Sequence, residues 1–203
     1  MHATAGFTRS RFVGRAAAGG GALLASASGL AAFVPAAFAT TPPDGDLAYL
    51  RLLIAAELLA VDFYTQALAH GDLDQQYGPR AQRILADETE HYNLLAALMT
   101  AAGQTPATSG DIDFSYPAAT FAGTSSALRF ASRLESVLVG SYIDAVTNVQ
   151  TAAYRGTLAQ ILANEARHQS ALAGLRGGSL IGTALPTPIP MATVSAFLDN
   201  YES

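Results

Sequence analysis

The sequence predicts an all-α fold: an up-down-down-up four-helix bundle with one long crossover and a short C-terminal helix. Three observations carry that prediction. Four apolar stripes recur at helical spacing, the breaks between them run short, long, short, and one octapeptide nearly repeats in the second and fourth stripes. The composition agrees, with half of the 203 residues hydrophobic, mostly Ala and Leu, and 13% charged, as suits helices packed closely through small side chains.

The first stripe is Leu50, Ile54, Glu57, Val61, Tyr64 and Leu68, stepping by three and four. Gly71 to Gly78 breaks it, and Pro79 suits the first turn of the next helix. Ala81, Ile84, Glu88, His91, Leu95 and Leu98 form the second stripe. A polar connection from Gly103 to Gly123, carrying Pro106 and Pro117, follows. Some 20 extended residues reach roughly 65 Å, whereas a helix of about 24 residues is ~36 Å long, so this segment can cross the whole bundle. The third stripe is Leu128, Ala131, Glu135, Leu138, Tyr142, Ala145 and Val149. After a break near Thr147–Gln150 comes the fourth: Leu158, Ile161, Glu165, His168, Leu172 and Leu175. Gly177 to Pro190 reads as irregular, and Met191–Leu198 as a short closing helix. The loop pattern is that of a bundle with one crossover.

Each stripe puts a glutamate where packing would put leucine: Glu57, Glu88, Glu135 and Glu165. A buried ionised carboxylate must be neutralised or paired, and four in one bundle repel one another. Arg83, Arg129, Arg133 and Arg167 lie off the stripes and do not supply the countercharge. Two divalent cations would balance four carboxylates in full, with His91 and His168 completing the ligand set. The chain has no cysteine, so no thiolate site competes with this one. The alternative is an empty site held by protonated carboxyls and hydrogen bonds.

The halves repeat one another. Ile84 to His91 (ILADETEH) matches Ile161 to His168 (ILANEARH), and Leu95, Ala96 and Leu98 recur as Leu172, Ala173 and Leu175. Glu57 precedes Glu88 by 31 residues, and Glu135 precedes Glu165 by 30. Tyr64 and Tyr142 each stand seven residues after their glutamate. Helical side chains lean toward the N-terminus, so each phenol points back to the glutamate layer, Tyr64 toward Glu135 and Tyr142 toward Glu57. Core filling is the other reading of these rings. Asp62, Asp87 and Glu90 lie off the stripes and read as solvated surface. Asp87 is the candidate support for a ligand, against which its counterpart Asn164 speaks. Neither His2 nor His70 is given a chemical role.

Glu, Glu-x-x-His, Glu, Glu-x-x-His on four helices resembles the ferritin-like superfamily over about Asp46 to Leu175. Within it the chain looks most like exported bacterial ferritin-like proteins related to desiccation-associated proteins. The resemblance implies a dinuclear iron or manganese centre held by Glu57, Glu88, His91, Glu135, Glu165 and His168. It also implies oxidase, ferroxidase or peroxide-type chemistry with oxygen or peroxide as co-substrate, without selecting one. The competing function is a non-catalytic protein of the cell envelope, protective under stress, whose metal clips the bundle or is absent. Iron storage is a third reading. It is weakened because the crossover offers only Asp111 and Asp113 as paired acids.

Residues 1–39 read as an export signal and 40–203 as the bundle domain. Arg9, Arg11 and Arg15 precede an apolar run from about Ala16 to Val34, and Ala37-Phe38-Ala39 offers a cleavage site. The run approaches spanning length but is rich in Gly and Ala, which makes it a poor permanent anchor. Thr8-Arg9-Ser10-Arg11-Phe12-Val13 resembles the twin-arginine signal, with Ser10 where the second arginine belongs, so a general secretory route stays open. The expected destination is the periplasm, cell envelope or exterior, with no membrane span after cleavage. Eleven arginines less these three leave eight against sixteen acids, a net charge of −8 that invites neither nucleic acid nor anionic membrane. The oligomeric state, a dimer included, stays open.

Overall fold

A computed structural model describes residues 42–70 and 73–203; the export signal expected over 1–39 lies outside the described residues. Five helices follow in order: α1 Asp44–Ala69, α2 Tyr77–Ala101, α3 Thr124–Asn148, α4 Ala152–Leu175 and α5 Met191–Leu198. Three of the four long helices cover the stripe expected for them, and α3 stops at Asn148, one residue short of Val149, whose extended backbone turns the chain toward α4. The crossover occupies 102–123, and α5 has the expected bounds.

Side-chain contacts fix the helix directions. Tyr49 near the start of α1 donates to Asp144 near the end of α3 at 2.7 Å. Farther along α1, Tyr64 meets Glu135. Contacts that advance on one helix while retreating on the other make α1 and α3 antiparallel. Short connections make α1–α2 and α3–α4 antiparallel hairpins, and these are the two most extensive pairings. The order is therefore up-down-down-up.

Asp46 ties the lower end together. Its buried carboxylate accepts from the backbone N–H of Gln150 at 3.0 Å and of Thr151 at 2.7 Å, just ahead of α4. Burial alone would raise its pKa, but hydrogen bonds from Thr151 and Gln150 and the charge of Arg155 hold it below the usual carboxylate range. At the other end Asp74 accepts from the N–H of Gln76 and Tyr77 and so caps the entry to α2. The two motif helices stop alike. Gly103 and Gly177 take φ of 71° and 69°. The next residues close back, Gln104 N–H onto Met99 O and Gly178 N–H onto Ala173 O. Glycine satisfies the last carbonyls here because a Cβ would strain that conformation.

α1 is buried more widely than its stripe requires, with Ala55, Ala56, Leu58, Leu59 and Ala60 also inside. Two further pieces of chain lie on α1: α5, which packs across α1 and α3 and buries Val194, Phe197 and Leu198, and the crossover, whose Tyr116 donates to Leu59 O at 3.3 Å. The chain beyond α5 holds on to the crossover, with Phe114 bridged to Glu202 and Ser115 N–H donating to Tyr201 O at 2.7 Å. No helix among the described residues is long and apolar enough to cross a membrane.

Candidate metal centre

Helix geometry brings the six residues together. Positions three apart share a face, so Glu88 and His91 project together from α2, and Glu165 and His168 from α4. Glu57 and Glu135 enter from the middles of α1 and α3. All four glutamates are 0% exposed, with His91 at 4% and His168 at 5%.

The cluster resolves into two overlapping groups. Glu57, Glu88, His91 and Glu165 each offer one ligand atom within 4.8 Å of the others, and so do Glu88, Glu135, Glu165 and His168. Glu88 and Glu165 belong to both. Their oxygens divide accordingly. His91 Nδ1 lies 3.2 Å from Glu88 Oε2 and 2.7 Å from Glu165 Oε1. His168 Nδ1 lies 3.0 Å from Glu88 Oε1 and 3.5 Å from Glu165 Oε2. Each shared carboxylate thus presents one oxygen to each group.

Glu57 and Glu135 serve one group each, and a tyrosine from the opposite half holds each of them. Tyr64 donates to Glu135 Oε1 at 2.5 Å, and Tyr142 donates to Glu57 Oε1. These are the partners that the lean of the helical side chains predicts. The hydroxyls occupy Oε1 and leave Oε2 facing the cluster, 3.8 Å from His91 Nδ1 for Glu57 and 3.5 Å from His168 Nδ1 for Glu135.

The cluster does not satisfy itself with hydrogen bonds. Glu57 Oε2, Glu88 Oε1, Glu135 Oε2, both Glu165 oxygens and His168 Nδ1 are buried and make none. The 2.7 Å approach of His91 Nδ1 to Glu165 Oε1 is short but misaligned, so it is a close contact and not a hydrogen bond. Buried oxygens left unpaired on both sides of one volume suit a cation between them. The Glu/His donor set fits a metal ion.

Protonation follows from the same crowding. Burial pushes the Glu57 carboxyl well above the usual carboxylate range, and the charges of Glu88 and Glu165 push it further. Glu165 is raised by burial and then by Glu135. Burial would lower the imidazoles, but the close carboxylates of Glu165 and Glu88 override it and hold His91 up at about 9. His168 is raised against its burial in the same way, by Glu135, Glu165 and Glu88. Burial, then the neighbouring carboxylate, pushes the Tyr64 and Tyr142 phenols well up, so both remain donors. Protons stand in for positive charge here, and a metal would displace them.

The reading of Asp87 as solvated surface needs correction. Its side chain is 15% exposed, and Oδ2 lies 3.3 Å from His168 Nε2, the ring nitrogen turned away from the cluster. Its position one residue before Glu88 carries it beside the histidine of the opposite motif. Asp62 is also engaged, accepting from Tyr116 at 2.7 Å, but it and Glu90 stand outside both groups. His70 stacks on Phe121, well away from the motif helices' ligands.

Two further tyrosines extend the motif stripes by one turn. Tyr77 and Tyr154 are both fully buried, and each stands 11 residues before its motif glutamate. That equal spacing was the available signal. Burial and the charge of Glu135 raise Tyr77, whose hydroxyl has no hydrogen-bond partner.

An all-α bundle with a buried carboxylate and histidine cluster at its centre defines a ferritin-like class of protein. The ferritin-like domain family matches this chain over residues 45–178, and the chain belongs to that family. The match takes in α1 to α4 and ends ahead of α5. A search among curated proteins finds no match.

Proposed function

We propose that the chain binds two divalent metal ions, iron or manganese, and acts in redox chemistry on oxygen or peroxide as an exported protein. Glu57, Glu88, His91 and Glu165 would hold one ion, and Glu88, Glu135, Glu165 and His168 the other. The observation that carries this reading is the sharing of Glu88 and Glu165 between two otherwise separate groups. Carboxylate and imidazole ligands suit iron and manganese, and a bound pair of such ions would supply electron exchange with oxygen or peroxide. The protein's own part is to place four carboxylates and two imidazoles in a dry interior. Tyr64 and Tyr142 fix the outer oxygens of Glu135 and Glu57, so that the inner oxygens keep one orientation. The depth of the site favours a small co-substrate, since none of the six residues is more than 5% exposed.

That same burial favours a second reading, an envelope protein in which the metal only clips the bundle. Turnover separates the two. Iron- and manganese-loaded protein should consume oxygen or peroxide faster than protein with Glu88→Ala, and equal rates would leave only the clip. Export is tested by locating the chain in fractionated cells of its host, where a cytoplasmic pool alone would contradict it.

A further inference from the structure

The two groups have the same ligand types but different outer partners. Both histidines turn Nδ1 toward the glutamates and Nε2 outward. On the outer side of His168, Nε2 lies 3.3 Å from Asp87 Oδ2, and Arg83 Nη2 holds the other oxygen of Asp87 at 3.0 Å. The repeat-equivalent of Asp87 is Asn164. Arg167 Nη1 donates to Asn164 Oδ1 at 2.9 Å, which assigns the amide oxygen to the outer side. Asn164 Nδ2 is thereby turned to the rings, 3.2 Å from His91 Nε2 and 3.3 Å from His168 Nε2.

The tautomers decide what this means. An imidazole that binds a cation through Nδ1 carries its proton on Nε2 and needs an acceptor there. For His168 the Asp87 carboxylate is that acceptor. Both rings meet the Asn164 NH2, a donor facing a donor, but only His168 has a carboxylate beside it to accept its proton. Turning the amide over would cost the Arg167 contact. Building on the metal reading above, we propose that the two ion positions are unequal. Asp87 makes the Glu135–His168 position the tighter one, and Asn164 holds back the Glu57–His91 position.

Two cations side by side repel each other, so stepwise filling of the wild type is not by itself diagnostic. The test therefore isolates each position in the full chain and titrates it with Mn(II) alone, following the free ion by its electron paramagnetic resonance signal. Glu57→Gln leaves the Glu135–His168 position whole, and Glu135→Gln leaves the Glu57–His91 position whole. The first protein should bind one Mn(II) roughly 10- to 100-fold more tightly than the second, the span that outer hydrogen-bond partners of ligating histidines command. Adding Asp87→Asn to the first should abolish most of that advantage. Adding Asn164→Asp to the second should tighten it by a similar factor. The exchange Asp87→Asn with Asn164→Asp should reverse the order of the two positions, a result that mere packing roles would not give. Circular dichroism confirms that each variant is folded, and the single outer substitutions in otherwise wild-type protein repeat the comparison should a glutamine variant unfold. Equal affinities in the two backgrounds, or indifference to both outer substitutions, overturns the proposal. Wild-type protein that takes up no Mn(II) overturns the metal reading itself and is distinguishable from either of those results.

Discussion

In the first half of the bundle Glu57 is held by Tyr142 of the second, and in the second half Glu135 is held by Tyr64 of the first. One layer farther out the halves part company. Asp87 faces His168, whereas its equivalent Asn164 turns an amide to both rings. Five residues after their glutamates, Asp62 and Gly140 differ more sharply. Asp62 accepts from Tyr116 of the crossover. Gly140 takes Ile189 of the tail so closely that a Cβ there would collide with it, and its carbonyl accepts Ile189 N–H at 2.9 Å. The contrast separates two kinds of constraint. Side chains that face the centre answer to the same charge problem and stay alike, while those facing outward answer to different neighbours, the crossover on one side and the tail on the other.

The shared and unshared glutamates should differ most. Glu88→Ala removes a ligand from both groups, whereas Glu57→Ala leaves Glu88, Glu135, Glu165 and His168 intact. Elemental analysis after equilibration with manganese should find less metal in the Glu88 variant than in the Glu57 variant. Equal losses would break the distinction between bridging and terminal ligands.

Metal removal should then lower the melting temperature. Binding to the folded state alone adds about 2.7 kcal/mol at a hundredfold excess over Kd, roughly 5–10 °C for a domain of this size. Melting by circular dichroism before and after chelation checks it, and reloading should restore the original value.

Tyr64→Phe and Tyr142→Phe should act alike, because the two hydrogen bonds are equivalent across the repeat. Each removes a bond to a carboxylate, worth about 1.5–3 kcal/mol in metal-loaded protein, while the phenyl ring still fills the space. Urea unfolding of both variants measures this. Unchanged stability in both would return the tyrosines to core filling, and a large inequality would break the symmetry of the inner layer.

A further effect concerns pH in metal-free protein. His91 titrates from an ordinary 6.5 when unfolded to about 9 when folded, so its contribution is full below 6.5 and is lost as pH rises through 9. Glu57 and Glu165 are also raised and act in the same direction. The melting temperature of the metal-free form should therefore fall as pH rises from 6.5 to about 9. Stability that rises over that interval would contradict the protonated cluster.

The fold was legible because its signals are local and repeated. Stripes such as Ala81, Ile84, Leu95 and Leu98 mark a buried helix face whatever packs against it, and all four are buried. The breaks at Gly103 and Gly177 were legible because a helix ending on a left-handed residue favours glycine. The extra burial of α1 was not legible, since it depends on where α5 and the crossover return to that helix. The role of Asp87 is hidden from the sequence for a related reason. Its partner is 81 residues away on the opposite motif helix, and a stripe drawn on one helix says nothing about a side chain at its margin. The inner arrangement of the glutamates was easier to see, because four acids in apolar stripes pose a charge problem that the sequence alone states.

The central claim is that one buried volume holds two ions on either side of Glu88 and Glu165. Crystals of protein equilibrated with Mn(II), measured at the manganese absorption edge, test it most directly. Two anomalous peaks are expected inside the bundle, one beside Glu57 and His91 and one beside Glu135 and His168. A bundle interior with no anomalous peak, or manganese only at surface acids such as Asp111 and Asp113, would contradict it.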